Sequence, residues 1–348
     1  FHQLLAERAA KPPIGTWVMS ASPIVAEAVG CAGFDWGVLD MEHTPIDLMG
    51  LVHLLQAVGN TRMVPVVRVP WNDTVTVKRV LDAGAHTLLF PFVQGAGEAA
   101  HAVSATRYPP EGVRGMAGMS RASRFGTTPD FLRGANRTIA VVLQLETPQA
   151  IANLEEIAAV PGVDALFVGP GDLSGSMGRT GELTHPDVMA LMADAARRAR
   201  AIGMPIGTVG GTAETVARYR SIGYDFVAIG SDLGLLMRAA LEVGYVLAFG
   251  AVVLGIFLML WQGHEGRRIL LLGLLGAVVV ARIVAALANL LLAPSRPEAR
   301  LLPLDDAAAG TLSGAVTIVA ALFGLVVATK TTFLATGSDL AHVEAIAL

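Results

Sequence analysis

Four short stretches of this 348-residue chain place ionisable side chains directly after apolar runs. Asp40, Glu42 and His43 follow Phe34-Asp-Trp-Gly-Val-Leu, Arg68 follows Val66-Val67, Glu146 follows Val141-Val-Leu-Gln-Leu145, and Asp172 stands in Gly169-Pro-Gly-Asp-Leu-Ser174. Two carboxylates such as Glu146 and Asp172, completed by water and a chelating substrate, suit a hard octahedral ion, Mg²⁺ or Mn²⁺. The same pair would serve equally as carboxylates bonded to backbone or to arginine. Asp40 and His43 are spaced for a dyad in which the carboxylate orients the imidazole as a base, or for a helix cap beside a solvent-facing histidine. Arg68 either stabilises a developing oxyanion or pairs with a structural acid. The long segment Tyr108–Arg137 carries Arg114, Arg121, Arg124 and Arg133. These would grip an anionic substrate or merely keep a loop soluble. Gly207–Gly211 has the flexibility of a phosphate cradle but no accompanying cation, and His2, His53, His86, His101 and His185 read as surface or packing residues.

The elements that must position these groups are legible as alternation. Apolar runs rich in β-branched residues predict strands near 14–20, 34–40, 62–69, 87–93, 139–146, 163–169, 204–209 and 225–230. Helical spacing recurs between them, as in Ile46–Val58, Val75–Ala83, Pro148–Ala159, Pro186–Ala201 and Ala213–Ser221, with Gly59, Gly84, Gly203 and Gly223 where C-caps belong. Strands buried on both faces and separated by helices imply parallel pairing. Eight such units predict an α/β fold, a (β/α)8 TIM barrel, with chemistry at its carboxyl face. A doubly wound sheet would put a glycine-rich phosphate loop after its first strand, where Ser20-Ala-Ser-Pro23 stands instead. A net charge of −4 argues against a nucleic-acid partner. The single cysteine, Cys31, excludes a disulfide framework and a multi-thiolate zinc site, and its apolar helical setting predicts buried packing. Phe1–Pro13 lacks the apolar stretch of a secretory signal, and with no initiating Met the chain is expected to start slightly inside the natural protein.

Several of these stretches together resemble the HpcH/HpaI aldolases, metal-dependent pyruvate aldolases related to the citrate lyase β-subunit, over residues 4–240. They are Phe34-Asp-Trp-Gly-Val-Leu-Asp-Met-Glu-His43, Pro65-Val-Val-Arg-Val-Pro-Trp-Asn-Asp73, Thr106-Arg-Tyr-Pro-Pro-Glu-Gly-Val-Arg-Gly115, Gln144-Leu-Glu-Thr147 and Val168-Gly-Pro-Gly-Asp-Leu-Ser174. The resemblance implies that Glu146 and Asp172 bind a divalent metal (Mg²⁺, Mn²⁺ or Co²⁺) chelated by pyruvate. It implies that the Gly171 and Asp172 amides hold the pyruvate carboxylate, that Arg68 steadies the enolate, and that His43 with Asp40 moves the proton. Asp82 matches a position contributed across a subunit interface, which implies a homo-oligomer, a hexamer in the family. Arg121 and Arg124 are the expected contacts for an acidic substrate tail. The implied reaction is cleavage of a 4-hydroxy-2-oxo acid, 4-hydroxy-2-oxoheptanedioate or a 2-keto-3-deoxy sugar acid, to pyruvate and an aldehyde. No nucleotide site stands out, and Lys11 and Lys78 both fall outside the predicted strands, which excludes a Schiff-base lysine there. A citryl-type ester cleavage would keep the barrel, but Trp71-Asn-Asp73 and Arg121-Ala-Ser-Arg-Phe125 favour the simple aldolases.

After Leu241 the composition changes. Residues 1–241 hold 19 of the 25 Lys/Arg and 22 of the 29 Asp/Glu, leaving 6 and 7 for residues 242–348. Val243–Gln262, Ile269–Ala293 and Leu312–Thr329 are apolar blocks with Arg282 as the one interior charge, and three membrane helices in a lipid bilayer are the expectation. Buried helices of a larger soluble domain are the alternative. Ala299-Arg-Leu-Leu-Pro-Leu-Asp-Asp306 and its flanks resemble the membrane region of small-conductance mechanosensitive channels, without a pore helix or vestibule. The expected layout is therefore a barrel over 1–241, cytoplasmic and catalytic, and a helical tail over 242–348 that anchors the chain in the inner membrane. Arg267 and Arg268 favour a cytoplasmic loop after the first span, whereas Arg238 ahead of it pulls the other way. The family's last barrel helix would be cut short and replaced at the junction. A true fusion, a joining of two reading frames, and a membrane-embedded fragment carrying a non-catalytic barrel are the three readings of that junction.

Overall fold

The computed structural model of the chain describes residues 1–10, 12–260, 265–292 and 306–335. Eight parallel strands form a closed barrel: β1 (Ile14–Val18), β2 (Trp36–Asp40), β3 (Val64–Arg68), β4 (Thr87–Phe90), β5 (Ala140–Leu145), β6 (Ala165–Val168), β7 (Ile206–Gly210) and β8 (Phe226–Ser231). Each strand pairs with the next, and β8 closes on β1 with Ile14 opposite Val227. Helices α1 (His2–Glu7), α2 (Pro23–Cys31), α3 (Leu48–Val58), α4 (Thr74–Asp82), α5 (Ala96–Thr106), α6 (Phe131–Gly134), α7 (Pro148–Ala152), α8 (Leu154–Ala158), α9 (Pro170–Ser176), α10 (Pro186–Ala201) and α11 (Ala213–Ile222) complete this unit. The tail comprises α12 (Asp232–Leu260), α13 (Glu265–Leu292) and α14 (Asp306–Ala335).

The strands form because both their faces are buried. Outward residues such as Val67, Leu88, Leu143 and Val168 pack under the helices, whereas Trp17, Trp36, Val38, Val66, Val142, Phe167 and Phe226 fill the barrel. The interior is unusually aromatic, and two strand glycines make room for it. A Cβ at Gly15 would lie 2.2 Å from the Trp36 ring, and one at Gly207 would lie 2.2 Å from the Phe226 ring. Gly207 is thus a packing residue, not part of a phosphate cradle. On the carboxyl side, Ser22, Asp47, Asp73, Thr147 and Thr212 accept backbone N–H bonds at the starts of α2, α3, α4, α7 and α11. Prolines open α2, α7, α9 and α10. The chain is therefore turned sharply at each strand end, which leaves the mouth to the residues between strand and cap.

Several expectations are corrected. Gly84, Gly203 and Gly223 take left-handed conformations at helix ends, and Gly59 caps α3 as expected but in a right-handed conformation, φ −60°. The predicted helix 148–159 is two helices broken at Asn153, whose amide donates to Gln94 O at 2.9 Å. Cys31 is exposed, because α2 buries Ala26 and Gly30 and the next residue turns outward. The long segment after α5 joins the amino end of β5, so its arginines lie on the face opposite the mouth.

The chain divides into two compact units, Phe1–Gly234 and Leu235–Leu348. No backbone break marks Leu241, since α12 runs through it: the charge content changes there, but the helical tendency does not. Of the three expected spans, two helices among the described residues are long and apolar enough, Asp232–Val252 and Ala308–Leu334. In α13 the apolar stretch is the shorter Leu271–Ala285, which Arg282 interrupts. Lys11, the ends of the expected spans at Gln262 and Ala293, and residues 295–305 of the channel-like segment lie outside the described residues.

Candidate active site

The side-chain period of two sets the site. The parity that points Trp36 and Val38 into the barrel points Asp40 inward one layer higher, and the parity of Val66 does the same for Arg68. Asp40 and Arg68 are direct partners in the β2–β3 register, so their side chains meet above the apolar interior. Arg68 Nε donates to Asp40 Oδ1 at 2.9 Å and Nη2 to Oδ2 at 2.7 Å, a bidentate pair in which both groups are buried. Nη1 lies 3.0 Å from Glu42 Oε2, and the guanidinium carbon stands 5.5 Å over the Trp17 ring. Burial alone would lower the Arg68 pKa, but Asp40, Glu42 and Glu146 together raise it, so it stays charged.

This geometry replaces the expected Asp40–His43 dyad. Asp40 accepts the backbone amides of Glu42 (3.0 Å) and His43 (3.4 Å), while both its oxygens also serve Arg68. The exposed His43 ring lies by Glu42 instead, with Nε2 3.8 Å from Oε2. With two residues between it and His43, Asp40 sits where a turn carboxylate bonds the following amides, and a short backbone loop swings the histidine outward.

On the facing side of the mouth, β5 carries Gln144 and Glu146 inward, and Leu145 pairs with Val168 of β6. Glu146 is buried, accepts the Phe92 amide at 3.0 Å, and is held by the Gln144 side-chain amide. Phe92 adopts φ +56°, a strained conformation for a non-glycine residue that turns its N–H toward this carboxylate. Burial foremost, then the charges of Asp172 and Glu42, push the Glu146 carboxyl up from 4.5 to about 7. Glu42 is also raised, by burial first; Arg68 and His43 pull it down, and Asp40 and Asp172 push it up. Four carboxylates, Asp40, Glu42, Glu146 and Asp172, therefore act on one another, with a single guanidinium already committed to Asp40 and Glu42.

That arrangement fits a hard cation. The donors are oxygens, like charge raises two of them, and the Gln144 Oε1 beside Glu146 is buried without a partner. Gly169 leaves room for the carboxylate: a Cβ there would lie 2.6 Å from Glu146 Oε1 and 2.9 Å from Gln144 Nε2. A Cβ at Gly171 would meet nothing within 4 Å, so the first turn of α9, carrying exposed Asp172, faces open space. Among the described residues no three His, Cys, Asp or Glu side chains are already gathered into a coordination shell.

Asp82, Arg121 and Arg124 are not brought to this mouth. Asp82 ends α4 near the amino end of β4 and pairs with Arg114 at 2.8 Å, Arg121 donates to Ala83 O at 2.9 Å, and Arg124 is exposed. Lys78 lies on α4 and not on a strand. Sequence reading gave no role to Trp17, the ring under Arg68, or to Gln144. The available signal was parity, since Gln144 is two residues before Glu146 and Trp17 faces inward on β1. A hollow of about 350 Å³ lies beside Phe92, lined by Trp71, Asn72, Gln94, Glu98 and His101 among others. His101, expected to be a surface or packing residue, helps form its wall.

Comparison with known proteins gives the same picture for the barrel. The 2-dehydro-3,6-dideoxy-6-sulfogluconate aldolase of Pseudomonas putida is 54% identical over 231 residues, 66% of this chain and 91% of that one. The 5-keto-4-deoxy-D-glucarate aldolase of Salmonella arizonae is 46% identical over 222 residues, 64% of this chain and 87% of that one. A solved HpcH/HpaI aldolase/citrate lyase family protein from Burkholderia cenocepacia superposes with a TM-score of 0.69 at 39% identity, covering 71% of this chain and 100% of that one. The family profile described as HpcH/HpaI aldolase/citrate lyase matches residues 13–239. The mechanosensitive-channel resemblance in the tail receives no support. Because the match runs from β1 through the start of α12, the entire barrel is accounted for: the chain belongs to the HpcH/HpaI aldolase/citrate lyase family and is an enzyme of the carbon–carbon lyase class.

Proposed function

We propose that the barrel catalyses reversible aldol cleavage of a 4-hydroxy-2-oxo acid to pyruvate and an aldehyde, using a divalent metal. The observation that carries this reading is the buried Glu146 carboxylate at the mouth, held by the Phe92 amide and Gln144 beside the unpartnered Gln144 Oε1, and raised to about 7 by burial and by the charges of Asp172 and Glu42. Like charges at that cost are relieved when a cation joins them. Glu146 and Asp172 would hold Mg²⁺, Mn²⁺ or Co²⁺. When bound, such an ion polarises a chelated keto acid and so acidifies its methyl group.

The chain's own residues then divide the work. The first-turn amides at Gly171 and Asp172 have no helical partners and would receive the substrate carboxylate. Arg68 faces the developing enolate oxygen, with Asp40 and Trp17 fixing its guanidinium so that no reorganisation is needed. His43 moves the proton, steered by Glu42 in place of Asp40. Asp82, Arg121 and Arg124 would reach substrate only from a neighbouring copy, so their assigned roles require a homo-oligomer.

The substrate we favour is a 2-keto-3-deoxy sugar acid over 4-hydroxy-2-oxoheptanedioate. Two relatives are named for sugar acids, and the hollow beside Phe92 offers Asn72, Gln94, Glu98 and His101 to hydroxyl groups. The direct test follows deuterium exchange of the pyruvate methyl group by proton NMR, using the full chain with Mg²⁺ or Mn²⁺ and then with EDTA. Metal-dependent exchange is expected. No exchange with either ion, in protein shown to be folded, would overturn the reading.

A further inference from the structure

We propose that α14 is a bilayer-spanning helix and α13 is packed along it, so that the tail unit partitions into lipid. The proposal rests on the tail alone and does not depend on the reaction assigned to the barrel.

The apolar part of α14, Ala308–Leu334, is 27 residues long and contains an 18-residue window of mean hydropathy 2.2, of which 11% is buried. At 1.5 Å per residue it extends about 40 Å, against about 30 Å of bilayer hydrocarbon. Lys330 is its only ionisable residue and stands four residues from the end, where its long stem reaches headgroups.

The distribution around the helix is the reverse of a soluble one. Soluble helices bury a stripe of large apolar residues and present polar ones to water. Here the large residues are outside: Leu312, Ile318, Val319, Leu322, Phe323 and Leu325 are all exposed. At about 100° per residue these, with Val316 and Val327, cover an arc of roughly 200°. The buried face is made of small residues, Ala309, Ser313 and Ala328, with Gly324 on the same side. That side meets α13 closely. A Cβ on Gly273 would lie 2.7 Å from Ala328 Cβ, and one on Gly324 would lie 2.7 Å from Ala277 Cβ. Small residues between helices and large ones outside are the packing arrangement that a lipid solvent selects.

A second, independent observation concerns hydroxyl groups. Thr317, Thr329, Thr331 and Thr332 each donate to the carbonyl four residues earlier, at 2.8 Å. Each polar side chain is thereby satisfied within its own helix, as a medium without water requires. The contrary feature is Arg282, exposed on α13 and opposite the middle of α14 by the antiparallel pairing. It makes α13 the costlier helix to insert, which is why α14 is assigned the span.

The test uses the full chain reconstituted in phosphatidylcholine/phosphatidylglycerol vesicles and labelled with a nitroxide. Native Cys31 is exposed on the barrel and supplies the aqueous reference. Phe323→Cys and Ala328→Cys in a Cys31→Ser background report the outer arc and the seam. At position 323 the ratio of oxygen to nickel-chelate collisions is expected to rise several-fold above that at Cys31, while position 328 is shielded from both reagents. Unmodified chain should stay with membranes through a carbonate wash. Three results would each overturn the proposal: nickel access at 323 equal to that at Cys31, shielding of 323 from both reagents (another copy covering the arc), or release of the chain by carbonate.

Discussion

Replacing Glu146 by Gln isolates the electrostatic claim on which the site rests. The side chains are isosteric, and the buried, unpartnered Gln144 Oε1 can accept from the introduced amide once Gln144 turns over. The Phe92 amide keeps an oxygen acceptor. What changes is the charge. A carboxyl raised from 4.5 to about 7 on folding binds its proton more tightly in the native barrel. Its stabilising contribution is therefore complete below pH 4.5 and is lost as pH rises through 7. The shift corresponds to about 3 kcal/mol at pH 8. The variant lacks that loss. In EDTA it should match the parent near pH 4 and melt about 6–12 °C higher at pH 8, at about 2–4 °C per kcal/mol for a unit of this size. Near-ultraviolet circular dichroism, to which the buried Trp17 and Trp36 contribute, reports the loss of barrel packing. Added Mn²⁺ should raise the melting temperature of the parent at pH 8 and leave the variant unchanged. Parallel pH profiles for the two proteins in EDTA would refute the argument that Glu146 carries buried, uncompensated charge.

Three further substitutions probe separate contacts. Gly169→Ala places a Cβ 2.6 Å from Glu146 Oε1, so it should lower Mn²⁺ affinity at least about tenfold (about 1.4 kcal/mol) with the barrel still folded, as read by electron paramagnetic resonance titration. Asp40→Ala leaves Arg68 buried with Glu42 as its one remaining ion-pair partner among the described residues and should cost about 3 kcal/mol of stability; a melting temperature unchanged from the parent would show that the pair is not structural. Arg68→Ala should abolish pyruvate methyl exchange while Mn²⁺ binding stays nearly intact, and exchange retained at the parental rate would remove Arg68 from the mechanism.

The barrel was legible because its two signals are local. Strands buried on both faces show as continuous β-branched runs, and Pro or Asp/Thr at the following helix start marks where each one ends. The placement of Arg68 and Glu146 followed from the same reading, since a polar residue closing such a run can only stand at the mouth. What the sequence hid was partnership across strands. Asp40 lies three residues from His43 in the chain but directly opposite Arg68 in the β2–β3 register. Register is a long-range property set by barrel closure, and no spacing within one segment encodes it. The misplacement of Arg121 has a similar origin. A loop's composition does not say which end of the barrel it crosses, whereas counting elements does: a segment after a helix and before a strand lies at the amino end.

The same distinction explains why Asp40 is better understood as the holder of a cation than as the partner of a base. A carboxylate that accepts two backbone amides and a bidentate guanidinium is committed to those partners, and the His43 ring lies beside Glu42 instead. Its negative charge is matched to Arg68, and that match keeps the arginine ionised and fixed above Trp17 when neighbouring groups change protonation. A guanidinium held in this way is paired with Asp40 and Glu42 and acts on Glu146 only through the longer-range field. The raised pKa of Glu146 follows from burial first and then from the charges of Asp172 and Glu42, which Arg68, held by Asp40, offsets only in part. It follows that the β2–β3 register, through one cross-strand ion pair, leaves the opposite side of the mouth short of positive charge, which is the condition a divalent cation would satisfy.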